Sequence, residues 1–191
     1  MEYPCSRGRS CRRCPQGKGT RLKEPTLRNV TALLTAAAVF SADRLVKYWC
    51  VRVLKPLHSL PVLEGILSFT YVENTGAAFS MLSGRRWLLV LLALASLALI
   101  VGLFFSRAYA HPLMDTALAL VAGGAIGNLA DRIRVGYVVD FIELRFVRFA
   151  IFNVADCAIT VGAGLMLLYA ALMLREELAE ADRQKNQGEE A

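Results

Sequence analysis

The chain has 191 residues, of which 55% are apolar and 20% charged, and it carries a formal net charge of +6. That balance lies far from an average soluble domain of this length and points to a membrane protein. The basic excess is confined to the front: Met1 to Arg28 holds eight Lys or Arg against two Glu, and the remaining residues hold fourteen of each sign. Because this basic stretch runs directly into an apolar helix, positive-inside topology explains it better than nucleic-acid binding.

Residues 1–26 read as a basic, disordered cytoplasmic arm. The arm is too polar and too long before its first apolar run for a typical signal peptide. That run also ends at Asp43-Arg44 rather than at a small-residue cleavage site. Cys11-Arg-Arg-Cys14 has the spacing of half a zinc site, but the second pair of ligands is missing, so Cys5, Cys11 and Cys14 are read as reduced thiols and no metal is expected.

A first membrane span is expected from about Leu27 to Trp49, with Asp43, Arg44 and Lys47 near its far end. Asp43 and Lys47 are four apart and share a helix face. Leu60 to Ser80 alternates β-branched and aromatic residues and closes on Asn74-Thr75-Gly76, which is strand chemistry ending in a turn. Trp87 to Phe105 is nineteen residues without a charge; as a helix it rises roughly 28 Å, close to the bilayer core of about 30 Å. It lacks the polar side that a soluble bundle helix would show. Thr116 to Ala130 and Cys157 to Leu174 make the third and fourth spans, separated by a second strand-like stretch from Tyr137 to Ile142. The fold class expected is therefore mainly α and polytopic: a transmembrane domain over residues 27–174 with two short strands, one from each outer loop (segments about 60–80 and 137–149), and a charged tail over 175–191.

With the basic arm cytoplasmic, four spans place the tail on the same side and both long loops outside. Polar residues then converge on one leaflet from five segments: Asp43 on the first span, Asn74 in the first outer loop, Asn128 and Arg132 at the end of the third span, Asp140 in the following loop, and Asn153 and Asp156 at the start of the fourth. Any one of these is explained by helix packing, and Asp43 by its pairing with Lys47. Together they are costly to hold in apolar surroundings for packing alone. Two neighbouring carboxylates share a proton. Such a pair can hydrolyse a peptide without metal or cofactor, since one member takes a proton from water while the other polarises the carbonyl. Spacing alone leaves Asp131 and Asp140 as alternatives for the loop-side acid. His58 and His111 fall in loops on opposite faces of the membrane, so a histidine metal site or a Ser-His relay lacks its parts. Cys157 has no histidine beside it to serve as a nucleophile's base, and a thiol at a span start is ordinarily packing.

Four motifs carry a resemblance: Tyr71-Val-Glu-Asn-Thr-Gly-Ala-Ala-Phe-Ser80, Gly123-Gly-Ala-Ile-Gly-Asn-Leu-Ala-Asp-Arg132, Val138-Val-Asp-Phe-Ile142 and Phe152-Asn-Val-Ala-Asp156. In this order, over roughly Val30 to Leu174, they resemble lipoprotein signal peptidase, the bacterial signal peptidase II. The resemblance implies an inner-membrane aspartyl peptidase that cleaves diacylglyceryl-modified prolipoproteins on the amino side of the lipidated cysteine. Membrane lipids and prolipoproteins would be its partners, with no nucleic acid. It puts the catalytic pair on Asp140 and Asp156, and the supporting polar residues on Asp43, Lys47, Asn74, Gly76, Asn128, Arg132 and Asn153. It also implies a small extracytoplasmic β-cradle and an active site near the outer leaflet. The chain reads Asp43-Arg-Leu-Val-Lys47 where the family has Asp-Gln-x-Thr or Ser-Lys, and Cys157 where serine is common. The Cys-rich arm is not a usual family feature. The alternative function is a small proton-coupled transporter using the same acids as a relay; it predicts acids near mid-membrane and an internal repeat, and the sequence offers neither.

Overall fold

A computed structural model describes residues 25–77, 81–106 and 109–189. The arm, its cysteines and the end of the first motif at Ala78 to Ser80 lie outside the described residues. The elements are α1 (Pro25–Trp49), a π-helical turn (Cys50–Leu54), a short α2 (Lys55–Leu57), strands β1 (Ser59–Leu63) and β2 (Leu67–Asn74), α3 (Arg86–Ser106), α4 (Pro112–Arg134), β3 (Val138–Leu144) and α5 (Val154–Glu189). Among the described residues, four helical segments are long and apolar enough to cross a bilayer: 27–57, 86–106, 112–134 and 154–186.

The bundle is organised around α4. Over half (56%) of its apolar window is buried, against 11% for α3, whose Leu91, Leu99, Val101 and Phe105 face outward. Glycine lets the neighbours of α4 approach. A Cβ at Gly123 would sit 2.7 Å from the Ala36 carbonyl of α1, and one at Gly124 would overlap the Ala155 carbonyl of α5. In hydrocarbon, where apolar burial gains nothing against lipid, such close backbone packing is what holds helices together.

At the opposite end from the sheet, Arg28 ties three helices: its Nε meets Asp115 at 2.8 Å, another nitrogen donates to the Phe104 carbonyl at 2.8 Å, and its guanidinium stacks 4.5 Å from the Phe104 ring. His111 caps α4 there, accepting from the Leu113 amide, with Pro112 following as the first helical residue.

The sheet departs from the two strands expected. The stretch from residue 60 forms a hairpin, β1 and β2, turning at Gly65 with φ +71°, and β3 joins β2 on its other side to give the order β1-β2-β3, antiparallel throughout. The alternation read across residues 66–73 belongs to β2 alone; β1 is exposed along its whole length and so shows no in-out pattern. The sheet is fixed to α1 by a small core of Cys50, Leu54, Val139 and Phe141. Edge-on ring contacts from Trp49 to Phe69 (6.2 Å) and from Phe69 to Phe141 (5.8 Å) extend it. The π turn carries the first helix eight residues past Trp49, to Leu57, and buries Cys50 and Leu54 completely against β3. The last helix likewise does not stop at the compositional boundary near Leu174 but runs on to Glu189.

Candidate active site

β3 and the start of α5 bring the two acids together. Gly136, with φ +90°, ends α4 and turns the chain into β3, which presents Asp140 opposite Val72 of β2. Asp156 lies in the first turn of α5. Asn153, expected at the start of the fourth span, precedes the first helical residue and caps it. Its Oδ1 accepts from the Asp156 amide at 3.0 Å, while an Asp156 carboxylate oxygen accepts from the Asn153 amide at 3.2 Å. This is a reciprocal capping box built on an acid.

The cap orients the Asn153 amide, so its Nδ2 points away from α5 and donates to Asp140 at 2.6 Å and to Asn128 Oδ1 at 3.2 Å. Asn153 is fully buried with every polar group used. Asn74 is oriented in the same manner: its Oδ1 accepts from the Gly76 amide at 2.9 Å, leaving Nδ2 to donate to the second oxygen of Asp140 at 2.8 Å. Asn128 completes the set, with Nδ2 donating to Asp156 at 2.7 Å and Oδ1 accepting from Lys47 Nζ at 2.9 Å. Three amides thus present donors to the two carboxylates. Arg132 donates to the Gly76 carbonyl at 2.9 Å, fixing the turn after β2, and its charge acts on both acids.

Beneath this layer lies an ionic one. Lys47 Nζ donates to Asn128 and stands in ion-pair contact with Asp43 (3.0 Å) and Asp131 (2.8 Å). Arg44 bridges Asp131 (2.5 Å) and Asp43 (2.8 Å) and donates to the Gly127 carbonyl at 3.0 Å. The other Asp43 oxygen accepts from the Ala155 amide at 3.2 Å, linking α1 to α5. A Cβ at Gly127 would come within 2.8 Å of the Asp43 carboxylate, so glycine there makes room for it. Two acids and two bases cancel, which lets Asp43, Lys47 and Asp131 stay buried beside the partly exposed Arg44.

All nine residues expected at the site, Asp43, Lys47, Asn74, Gly76, Asn128, Arg132, Asp140, Asn153 and Asp156, fall in one connected network. Asp131 and Arg44 belong to it as well. Two opposite charges in or beside apolar spans were the signal for that pair. Glu143, also on β3, accepts from the Thr70 hydroxyl at 2.5 Å and stands outside this network.

Burial pushes the Asp140 carboxyl up to about 6 from its ordinary value near 3.8; the hydrogen bonds from Asn74 and Asn153 oppose the rise, and the Asp156 charge adds to it. At that value Asp140 exchanges its proton close to neutrality, which suits acid-base work.

Comparison with known proteins identifies the family. The family model described as signal peptidase (SPase) II matches residues 35–172. Lipoprotein signal peptidase from Lactobacillus johnsonii is 42% identical over 137 residues, covering 72% of this chain and 89% of that protein. The lipoprotein signal peptidase of Symbiobacterium thermophilum is 42% identical over 153 residues, 78% of this chain and 99% of the relative. Among solved structures, a bacterial membrane enzyme determined by the in meso method at 2.3 Å resolution superposes with a TM-score of 0.70 at 34% identity, covering 75% of this chain and 87% of the other.

Proposed function

From a chain that belongs to the signal peptidase II family, we propose a mechanism in which Asp140 and Asp156 share one proton and activate a water against a peptide bond. The protein is a multi-pass membrane aspartic protease, a lipoprotein signal peptidase, and removes signal peptides from prolipoproteins. In the proposed reaction the ionised carboxylate takes a proton from water as oxygen attacks the scissile carbonyl. The protonated carboxyl polarises that carbonyl, and the amine leaves after a second proton transfer. Cleavage falls on the amino side of a diacylglyceryl cysteine, whose chains stay among the membrane lipids.

The single observation supporting this reading is the position of Asn153, which donates its side-chain nitrogen to one acid and its backbone amide to the other. It ties β3 to α5 and holds both carboxylates against one small group. Lys47 and Asn128 position Asp156, while Asn74, held by Gly76 and Arg132, positions Asp140. Asp43 with Arg44 and Asp131 supports Lys47. The acids stand at the sheet end of the bundle and not halfway along it, so no observation favours a transporter. With the arm and tail cytoplasmic, that end lies at the outer leaflet.

The test is hydrolysis of a diacylglyceryl prolipoprotein by purified enzyme in lipid. Asp140→Asn and Asp156→Asn should each lose at least about a hundredfold in turnover. Near-normal turnover by either folded variant would remove that residue from the mechanism.

A further inference from the structure

Arg145 to Ile151, between β3 and the Asn153 cap, have no part in the proposed reaction, yet their composition is distinctive. Arg145-Phe-Val-Arg-Phe149 forms an exposed turn in which Phe146 is 68% and Val147 46% exposed. With Ala150 and Ile151 the two arginines line a surface pocket of about 480 Å³ that excludes both catalytic acids. Arg148 makes no ion pair among the described residues. Arg145 lies 3.5 Å from Glu143, whose carboxylate also accepts from Thr70, so the pocket wall keeps a net positive charge. The turn precedes Val154, where α5 begins to cross the membrane, and is held at that level by the antiparallel bridge between Ile142 and Phe152.

Two arginines spaced by exposed apolar side chains, fixed immediately before a span, match the chemistry of an anionic lipid at the interface: phosphate outside, acyl chains beneath. We propose that the β3–α5 turn is a binding site for an anionic phospholipid. Arg145 and Arg148 hold the headgroup phosphate, and Phe146 and Val147 enter the acyl region beside it. The inference rests on the membrane placement of the chain and is independent of which residues perform hydrolysis. Because β3 carries Asp140 and the turn leads to the Asn153 cap, a lipid held here would brace both arms of the catalytic pair from outside.

The experiment uses the full chain reconstituted in phosphatidylcholine with Phe146→Trp as a reporter, the signal of Trp49 and Trp87 being subtracted with the unsubstituted protein. Brominated phosphatidylglycerol should quench the reporter at a several-fold lower mole fraction than brominated phosphatidylcholine, about fivefold per arginine. Adding Arg145→Gln and Arg148→Gln should make the two lipids equivalent, with prolipoprotein cleavage in phosphatidylcholine retained as proof of folding. Equal quenching by both lipids before those substitutions, or quenching by neither, would overturn the proposal. So would loss of the preference on adding millimolar inorganic phosphate, which would make the pocket a site for the free ion. Failure of catalysis with the lipid preference intact would count against the proposed reaction and not against this site.

Discussion

Asn153 spends a buried amide on both acids at once, and its worth can be measured against its neighbours. Asn153→Ala removes the helix cap and leaves Asp140 with one donor instead of two. Losing a cap costs about 1 kcal/mol, and losing a hydrogen bond to a buried charged group about 1.5–3 kcal/mol. The expected outcome is a folded enzyme whose turnover falls at least tenfold and whose acidic pH limb moves upward, because the ionised form of Asp140 has lost a donor; a pH–rate profile reads both. Stability carries a second signature of the same carboxyl. The Asp140 value is raised in the native state, to about 6, so between pH 4 and 6 the native protein keeps a proton that the unfolded chain has released. Stability therefore falls as pH rises through that window and levels off above it, by on the order of 2–3 kcal/mol. In Asp140→Asn that fall should vanish, which thermal unfolding in detergent at pH 4.5 and pH 7 will check. A wild-type profile parallel to that of the variant would show that Asp140 ionises normally.

The helices and sheet hold these residues to their geometry through a few close approaches. Gly124 admits the Ala155 carbonyl nearer than any side chain allows, and Ala155 is the residue whose amide binds Asp43 beside Asp156. Gly124→Val should push α5 from α4, breaking that bond and the Asn128 contact with Asp156 together. Activity should drop below detection and the melting temperature should fall, while Gly102→Val on α3, where nothing lies within 4 Å, should leave both near wild type. Activity retained in the first variant would mean the helices tolerate a wider separation. The π turn acts on the sheet side: by extending the first helix to Leu57 it buries Cys50 and Leu54 under Val139 and Phe141, the immediate neighbours of Asp140.

At the scale of the whole molecule, one end of the bundle carries the sheet and the site, and the other carries the Arg28–Asp115 tie. Under the topology proposed from the basic arm, the second end is cytoplasmic. A reporter fused after Ala191 should therefore be active only as a cytoplasmic fusion, and one inserted in the β1–β2 turn at Gly65 only as an external one. Deleting Met1 to Lys23 should leave cleavage intact in correctly inserted protein, because the network is built from residues between Asp43 and Asp156; loss of chemistry there would assign the arm a role.

Four spans, their order and the apolar faces were legible in the sequence because hydrocarbon demands long uncharged runs, a constraint written residue by residue. The cluster of polar residues was legible for the converse reason, since each is expensive where it stands. The motifs implied Asp140 over Asp131, and the proposed choice suits their surroundings: Asp131 turns toward Arg44 and Lys47 and is neutralised there, while Asp140 accepts from the side-chain amides of Asn74 and Asn153. The third strand, the π turn and the partner Arg44 takes were not legible. β1 is exposed on both faces and leaves no alternation to read, and a π turn and an ion pair between residues 87 apart depend on how two helices meet. The chain's own pattern determined which residues enter the membrane and which polar groups need partners. Only the tertiary packing decided which partner each one takes, because that depends on separations of a few tenths of an ångström between segments far apart in the chain.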